Sequence, residues 1–358
     1  MSVSKRSFQL VVWFSALIFL FASIACNNNV GSGSGSVTLQ GAGATFPAPL
    51  YQKWLSEYGN LHPNVKIDYQ SIGSGGGIKQ LKEQTVDFGA SDAPMKDEDM
   101  KSASGEIVHI PTVLGAVVIT YNLEGMKQPL HFSPEVIADI FLGKVEKWND
   151  SKIAADNPGV TLPASDITVV HRSDGSGTSA VFTDYLSKVS AEWKEKVGAG
   201  VSPSWPTGIG GKGNEGVTGQ VKNTPNTIGY VELAYAATNK LPIAHIKNAS
   251  GAFIEPTIDA VTAAAAASAA NMPDDLRISI TNAAGAQAYP ISSYTYILVY
   301  KNQKDAAKGK ALLDFLWWGI HDGEGFAKEL QYAPLPADIV KRAEAKINSV
   351  TANGAALR

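Results

Sequence analysis

Short apolar runs alternate with amphipathic stretches along most of this chain, and that alternation limits the folds it can adopt. Short strands are predicted at 37–39, 65–69, 86–89, 167–171 and 228–231, and long apolar strands at 113–121 and 294–300. Helices are predicted at 47–58, 76–84, 134–142, 178–189, 258–270, 312–320 and 339–347. Strands that alternate with helices are typical of α/β proteins with mostly parallel sheets. A length of 358 residues favours about two domains, and the two long strands are candidates for crossings between two lobes.

The first 25 residues have the pattern of a secretory signal peptide. Lys5 and Arg6 precede an almost wholly apolar run at 8–25, and the small residues Ser23 and Ala25 stand just before Cys26. This order of charge, apolar run and small residues predicts cleavage after residue 25. A retained membrane anchor is the alternative, although 18 apolar residues lie at the short limit for a spanning helix.

Cys26 is the only cysteine, and it lies at the predicted cleavage point. This placement resembles that of bacterial lipoproteins, whose first mature residue is a lipid-modified cysteine, although Ser23 stands where they usually carry leucine. Residues 26–36 then form a Gly/Ser-rich flexible linker. Cys26 is therefore a candidate lipid anchor for a body in the periplasm or at the outer face of the cytoplasmic membrane.

Composition excludes several classes of function. A single cysteine leaves no disulfide framework or zinc ribbon, and the six histidines lack the HExxH spacing. Neither a metal nor another cofactor is therefore expected. The net charge is −3, and it becomes −5 without Lys5 and Arg6 (28 basic against 33 acidic residues). No basic footprint for nucleic acid is present.

Three Gly/Ser/Thr loops precede predicted helices, at 41–46 (GAGATF), 71–77 (SIGSGGG) and 174–178 (DGSGT). Backbone N–H groups at a helix N-terminus lack intrahelical partners and lie at the positive end of the helix dipole. Such ends bind anions. One such loop is usually an ordinary helix cap, but three in one chain favour an anion site.

Arg172 and Asp92 add two charges to these loops. Arg172 stands two residues before the third loop, and its planar guanidinium suits bidentate binding of an oxyanion. Asp92 has three interpretations: a cap of the turn before Pro94, a partner of Arg172, or an acceptor from an oxyanion that still carries a proton. Under the last interpretation phosphate is accepted, and unprotonated sulfate is repelled.

Two tempting motifs do not carry an enzyme prediction. Residues 208–213 match GxGxxG, but they follow Pro206 and Thr207 instead of a predicted strand, which argues against a dinucleotide site. Ser176 with His171 as its base is the alternative of a phosphatase or esterase. His171 is expected to point away from Arg172 along the strand, and nothing in the sequence brings it to Ser176.

Seven ordered segments resemble the phosphate-binding proteins of bacterial high-affinity phosphate ABC transporters. They are GAGATFPAPLYQKW, IGSGGGIKQL, TVDFGASDAPM, FLGKVEKWND, HRSDGSGTS, GGKGNEGV and IGYVELAYA. The resemblance covers nearly all of 37–350. It implies a two-lobed periplasmic-binding-protein fold of type II, with lobe 1 from 37–112 plus 290–358, lobe 2 from 113–289, and a ligand cleft between them. It also implies a monomeric receptor, not an enzyme, that delivers inorganic phosphate to a membrane ABC permease.

Carried over segment by segment, the resemblance implies nine phosphate-binding residues: Ala44, Thr45, Phe46, Ser74, Asp92, Arg172, Ser176, Gly177 and Thr178. Asp174 would hold Arg172 in place. Gly75 stands where some relatives have a second serine, and His171 stands where they have a basic residue. The alternatives left open are a receptor for sulfate or molybdate, the Ser176 esterase, and a scaffold protein that keeps the fold without the site.

Overall fold

The computed structural model describes residues 36–126 and 128–358. The predicted signal peptide, Cys26 and the linker up to residue 35 lie outside the described residues. Ser36–Arg358 forms one unit. Within the described ranges, no helix combines the length and the apolar character needed to cross a membrane.

The described residues form fourteen strands and twelve α-helices. The strands are β1 (Val37–Gly43), β2 (Val65–Ser71), β3 (Phe88–Ser91), β4 (Ile107–Asn122), β5 (His131–Phe132), β6 (Thr168–Arg172), β7 (Ile209–Gly211), β8 (Thr227–Glu232), β9 (His245–Lys247), β10 (Phe253–Ile254), β11 (Ser292–Tyr300), β12 (Asn302–Gln303), β13 (Thr351–Ala352) and β14 (Ala355–Ala356). The helices are α1 (Ala48–Leu61), α2 (Ser74–Lys82), α3 (Asp97–Lys101), α4 (Pro134–Phe141), α5 (Ser151–Asp156), α6 (Gly177–Val189), α7 (Ala191–Lys196), α8 (Gly213–Asn223), α9 (Leu233–Thr238), α10 (Ile258–Ser268), α11 (Ala306–Gly319) and α12 (Ala337–Asn348).

An eight-stranded sheet in the order β2-β1-β3-β11-β4-β8-β6-β7 runs through the molecule. At one end β1 pairs in parallel with β2 and β3, and at the other end β6 pairs in parallel with β7 and β8. The central pairs β3–β11, β11–β4 and β4–β8 are antiparallel. The prediction of an α/β protein with mostly parallel pairing therefore describes the two ends, and the centre of the sheet is antiparallel.

Strand β4 joins the two ends of the sheet. Its residues from Ile107 to Ala116 pair with β11, and those from Val117 to Asn122 pair with β8. Fifteen of its sixteen residues are buried, which explains an apolar run without polar alternation. The predicted strand at 113–121 covers only the second part of β4, because His109 and the Pro111–Thr112 pair interrupt the apolar pattern earlier.

Most predicted helices agree with the structure to within a few residues. In α1 the expected apolar stripe of Leu50, Trp54, Leu55 and Tyr58 is buried except for Leu55, which is half-buried. Helix α11 is the exception, since it begins at Ala306, six residues before the predicted start. There Asp305 caps the helix by accepting from the backbone N–H groups of Ala307 and Lys308. An aspartate at this position marks a helix start, and here it locates the start better than the apolar periodicity does.

Parallel pairing at each end of the sheet decides where the predicted loops lie. Because β1, β2 and β3 are parallel, their carboxyl ends share one edge, and the same holds for β6 and β7. In open α/β sheets ligands bind beyond the carboxyl ends of strands. The three predicted loops follow β1, β2 and β6, and Asp92 directly follows β3.

Candidate functional site

The loops from the two ends of the sheet are in direct contact. The backbone N–H of Gly75 donates to the carbonyl of Gly175 at 2.9 Å. A methyl group added at Gly177 would lie 2.3 Å from Ser74 Oγ and 2.4 Å from Asp92 Oδ2. Glycine at 177 is therefore a condition for this approach, and the contact brings the loops after β2, β3 and β6 together.

In the first loop the backbone carbonyls of Thr45 and Phe46 accept hydrogen bonds from side chains, whereas their backbone N–H groups point to no acceptor among the described residues. The Thr45 carbonyl accepts from the Tyr235 hydroxyl and the Phe46 carbonyl from the Tyr332 hydroxyl, both at 2.6 Å. Among the described residues, no group accepts from the backbone N–H of Thr45 or Phe46. The Ala44 N–H, by contrast, donates to the Ala90 carbonyl at 3.0 Å and is already used within the protein.

Arg172 ends β6 with a guanidinium group that is almost fully buried, with 1% of the side chain exposed. Its Nε and Nη2 donate to the two carboxylate oxygens of Asp174 at 2.8 and 2.5 Å, and Nη1 donates to Thr178 Oγ1 at 3.3 Å. A guanidinium has five N–H donors, so two remain. Asp174 is thus hydrogen-bonded to Arg172 through both carboxylate oxygens, the contact that the positioning role implied by the resemblance requires, and it also accepts from the Gly213 N–H at 2.9 Å.

The Asp174 carboxylate stays ionised in this pair. Burial alone would raise the pKa of Asp174, but the hydrogen bonds and charge of Arg172 outweigh burial, and the pKa lies below its ordinary value. Arg172 forms its ion pair with Asp174 and not with Asp92, which removes one of the three interpretations of Asp92.

Helix α6 contributes its N-terminus to the same place. Ser176 caps the helix, since its Oγ accepts from the Ser179 N–H at 3.0 Å. The backbone N–H groups of Gly177 and Thr178 have no acceptor among the described residues. At the start of a thirteen-residue helix these N–H groups lie at the positive end of the helix dipole, where an anion is stabilised.

Asp92 is a buried carboxyl group opposite that positive end. It is 1% exposed, and its Oδ1 accepts from Thr295 Oγ1 at 2.8 Å, while Ser74 Oγ lies 3.5 Å from Oδ2. Burial raises the pKa of Asp92 to about 7, although the Thr295 bond, the Arg172 charge and the Ser74 bond each lower it. Near neutral pH this carboxyl can therefore exchange a proton with its surroundings at little cost.

Asn214 was missed in the sequence, and it joins two of these loops. Its Nδ2 lies 2.7 Å from Thr45 Oγ1 and 3.1 Å from Thr178 Oγ1. No strand precedes the GxGxxG match at 208–213, as predicted, but the match itself contains the short strand β7 (Ile209–Gly211), and α8 begins at Gly213. Glycine-rich composition concealed the strand, and the segment is a fourth strand–turn–helix loop.

In the part of the chain that the structure describes, no hydrogen bond joins Ser176 to His171, the base of the esterase alternative. The His171 ring stacks on Trp205 with centroids 5.0 Å apart, and its Nδ1 lies 3.0 Å from the Arg172 carbonyl. Ser176 Oγ is meanwhile the helix cap. The two side chains therefore do not form a nucleophile and base pair.

Comparison with known proteins gives one consistent picture. Residues 28–317 match the model of the PBP superfamily domain. The chain is 48% identical over 311 residues to the phosphate-binding protein PstS of Xylella fastidiosa (strain 9a5c), which covers 87% of this chain and 85% of the relative. It is 46% identical over 310 residues to the phosphate-binding protein PstS of Pasteurella multocida, covering 86% and 89%.

The fold also matches a solved structure. A high-affinity periplasmic phosphate-binding protein, PfluDING, solved with bound phosphate, superposes with a TM-score of 0.68 and covers 86% of this chain and 93% of its own. The two sequences are 21% identical, so this likeness concerns the fold alone. It agrees with the two-lobed fold predicted from the sequence.

Proposed function

This chain belongs to the PBP superfamily, in the family of phosphate-binding proteins, and from that membership we propose that it is an extracytoplasmic receptor for inorganic phosphate. The receptor would deliver phosphate to the membrane permease of an ABC importer. The family consists of transport receptors and not of enzymes.

The main support for this proposal is that hydrogen-bond donors and one buried acceptor lie together at the start of α6. Arg172 keeps two N–H donors, and the start of α6 adds the N–H groups of Gly177 and Thr178. The carboxyl group of Asp92, an acceptor when ionised, lies next to Gly177, since a methyl group added at Gly177 would lie 2.4 Å from Asp92 Oδ2. Such a site fits an anion that has several unprotonated oxygens and one hydroxyl.

That description distinguishes phosphate from sulfate. Above pH 7, where the Asp92 carboxyl group is mainly ionised, phosphate still carries a proton that it can donate to this carboxylate, whereas sulfate carries none. An unprotonated oxygen facing a buried carboxylate is repelled, and like charges brought together in this way cost several kcal/mol. Arsenate has the same shape and protonation as phosphate, and it is expected to compete.

The site residues carried over from the resemblance divide into roles that the local contacts support. Thr45, Phe46, Gly177 and Thr178 would donate backbone N–H groups, with Ala44 beside them as part of the loop wall. Ser74, Ser176 and Thr178 would add hydroxyl donors. Arg172 would supply the positive charge, with Asp174 holding it in place, and Asp92 would accept the phosphate proton.

The proposal also covers the boundaries of the two lobes and the location of the receptor. Lobe 1 would comprise 37–112 plus 290–358, and lobe 2 would comprise 113–289. The hinge would lie four residues beyond that boundary, between Ala116 and Val117, where β4 exchanges β11 for β8. Closure about that hinge would exclude water from the bound anion. The receptor would act as a monomer in the periplasm, or would be tethered to the membrane surface through Cys26.

Calorimetric titration of the purified protein with phosphate at pH about 8, where the Asp92 carboxyl group is mainly ionised, tests this function, with a second titration in a large excess of sulfate. We expect a one-to-one isotherm with a dissociation constant of about 1 μM or lower, which corresponds to roughly −8 kcal/mol, and no effect of sulfate. Binding of sulfate or molybdate in place of phosphate would refute the phosphate assignment. No heat of binding at several temperatures would favour a scaffold that has lost its ligand.

A further inference from the structure

Asn214 is held in one orientation between two loops of the proposed phosphate site. It is fully buried, and its Oδ1 accepts from the backbone N–H of Glu232 at 2.9 Å. Because the oxygen must face that N–H, the Nδ2 group must face the opposite side. There it lies 2.7 Å from Thr45 Oγ1 and 3.1 Å from Thr178 Oγ1.

The two hydroxyl groups have no acceptor capacity left. A threonine hydroxyl has two lone pairs and one proton. Thr45 Oγ1 accepts from Asn214 Nδ2 and, at 3.2 Å, from the Asn214 backbone N–H. Thr178 Oγ1 accepts from Asn214 Nδ2 and, at 3.3 Å, from Arg172 Nη1. Each hydroxyl therefore retains only its proton for a further hydrogen bond.

We propose that Asn214 is a positioning residue that makes the hydroxyls of Thr45 and Thr178 obligate donors to the bound anion. This inference rests on the proposed function, because it assigns a role within the same site. A hydroxyl that is free to rotate can face an anion with a lone pair, which is repulsive. With both lone pairs occupied, the hydroxyl can face the anion only with its proton.

The same amide group also links the two ends of the sheet. Thr45 follows β1, whereas Asn214 begins α8 after β7 at the opposite end. One Nδ2 group therefore contacts loops on both sides of the proposed cleft. The hydrogen bonds from Asn214 to Thr45 can form only when the loops on the two sides of the cleft are close together. Asn214 therefore orients the Thr45 hydroxyl only when the cleft is closed.

Replacement of Asn214 by alanine is the first test, with phosphate affinity measured by calorimetry. We expect affinity to fall about tenfold or more, because two hydroxyl groups lose the hydrogen bonds that orient them. Asn157 is a matched control, since it is a buried asparagine with two Nδ2 bonds and one Oδ1 bond, all remote from the site. Asn157→Ala should lower the melting temperature and leave phosphate affinity unchanged.

A double-mutant comparison distinguishes positioning from general structural support. In a Thr45→Val/Thr178→Val background there are no hydroxyls to orient, so adding Asn214→Ala should change affinity by no more than about twofold. A further tenfold loss in that background would overturn the inference, since Asn214 would then act by another route.

Asn214→Asp provides a test that does not depend on creating a cavity. The carboxylate keeps the size of the side chain and can accept from both hydroxyls, which would turn their protons away from the anion. We expect a loss of about a hundredfold or more. Unchanged affinity in both Asn214 variants would overturn this inference alone. Absence of phosphate binding by the unaltered protein would overturn the proposed function with it.

Discussion

Gly177 lies against the opposite side of the proposed cleft, and replacing it with alanine is a direct test of that close approach. The added methyl group would lie 2.3 Å from Ser74 Oγ, 2.4 Å from Asp92 Oδ2 and 2.9 Å from Asp92 Cβ. Alanine retains the backbone N–H and the helical conformation. Any loss of affinity therefore comes from the volume of one methyl group.

The magnitude follows from these distances. Ordinary contacts begin near 3.4 Å, so relief of the 2.3 Å contact requires the loops to separate by about 1 Å. A hydrogen bond of normal length then stretches beyond the useful range of about 2.7–3.2 Å. Bonds to a charged group contribute about 1.5–3 kcal/mol each. Weakening of two such bonds lowers phosphate affinity about a hundredfold or more.

Calorimetry on Gly177→Ala should be paired with Gly219→Ala as its control. Gly219 lies inside α8, with open space where its methyl group would stand, so alanine there should leave affinity unchanged and stabilise the helix by about 0.5–1 kcal/mol. In Gly177→Ala the loops can separate in the free protein, so its melting temperature should change little. Phosphate affinity within about threefold of the unaltered protein would show that the loops do not close to this distance around the ligand.

Three further predictions concern the two charged groups. Arg172→Met should weaken phosphate binding about tenfold or more by calorimetry, and unchanged affinity would refute its role as the positive partner. Asp92→Asn should allow sulfate to compete with phosphate, because an amide can donate to an unprotonated oxygen; continued insensitivity to sulfate would refute the proposed filter. The folded protein keeps the Asp92 proton up to pH about 7, whereas the unfolded chain releases it near pH 4, so the phosphate-free protein should lose stability as pH rises from about 4 to about 7. Urea denaturation should show that the free energy of unfolding of the unaltered protein falls by up to about 4 kcal/mol more than that of Asp92→Asn over this pH range. If the free energies of unfolding of the two proteins change in parallel with pH, this prediction is wrong.

The loops of the site could be predicted from the sequence because each is local. GAGATF, SIGSGGG and DGSGT each combine a strand end, small polar residues and a helix start within a few positions. Their meeting could not be predicted from these patterns, because it depends on parallel pairing at both ends of the sheet. The contact between Gly75 and Gly175 joins residues 100 positions apart, and no local pattern contains that separation.

The residues that sequence reasoning missed act through contacts that span long stretches of chain. Thr295 on β11 holds Asp92, yet it lies in an apolar run whose pattern predicts only a buried strand. Asn214 directly follows the GxGxxG match at 208–213, a motif whose pattern points to a dinucleotide site and not to the residue after it. Recognising a fourth loop of the same kind would have made it a candidate, since its position after a strand and at a helix start matches the other three.

A crystal structure of the protein with phosphate would show directly whether these loops hold the anion. The account predicts a tetrahedral anion between the start of α6 and the first loop, with two oxygens on Arg172 and one oxygen about 2.5–2.7 Å from Asp92, the length of a hydrogen bond to a carboxylate. It also predicts that Thr45 and Thr178 Oγ1 contact the anion while both remain bonded to Asn214. Phosphate bound elsewhere, or bound here with Asp92 turned away from it, would contradict the account.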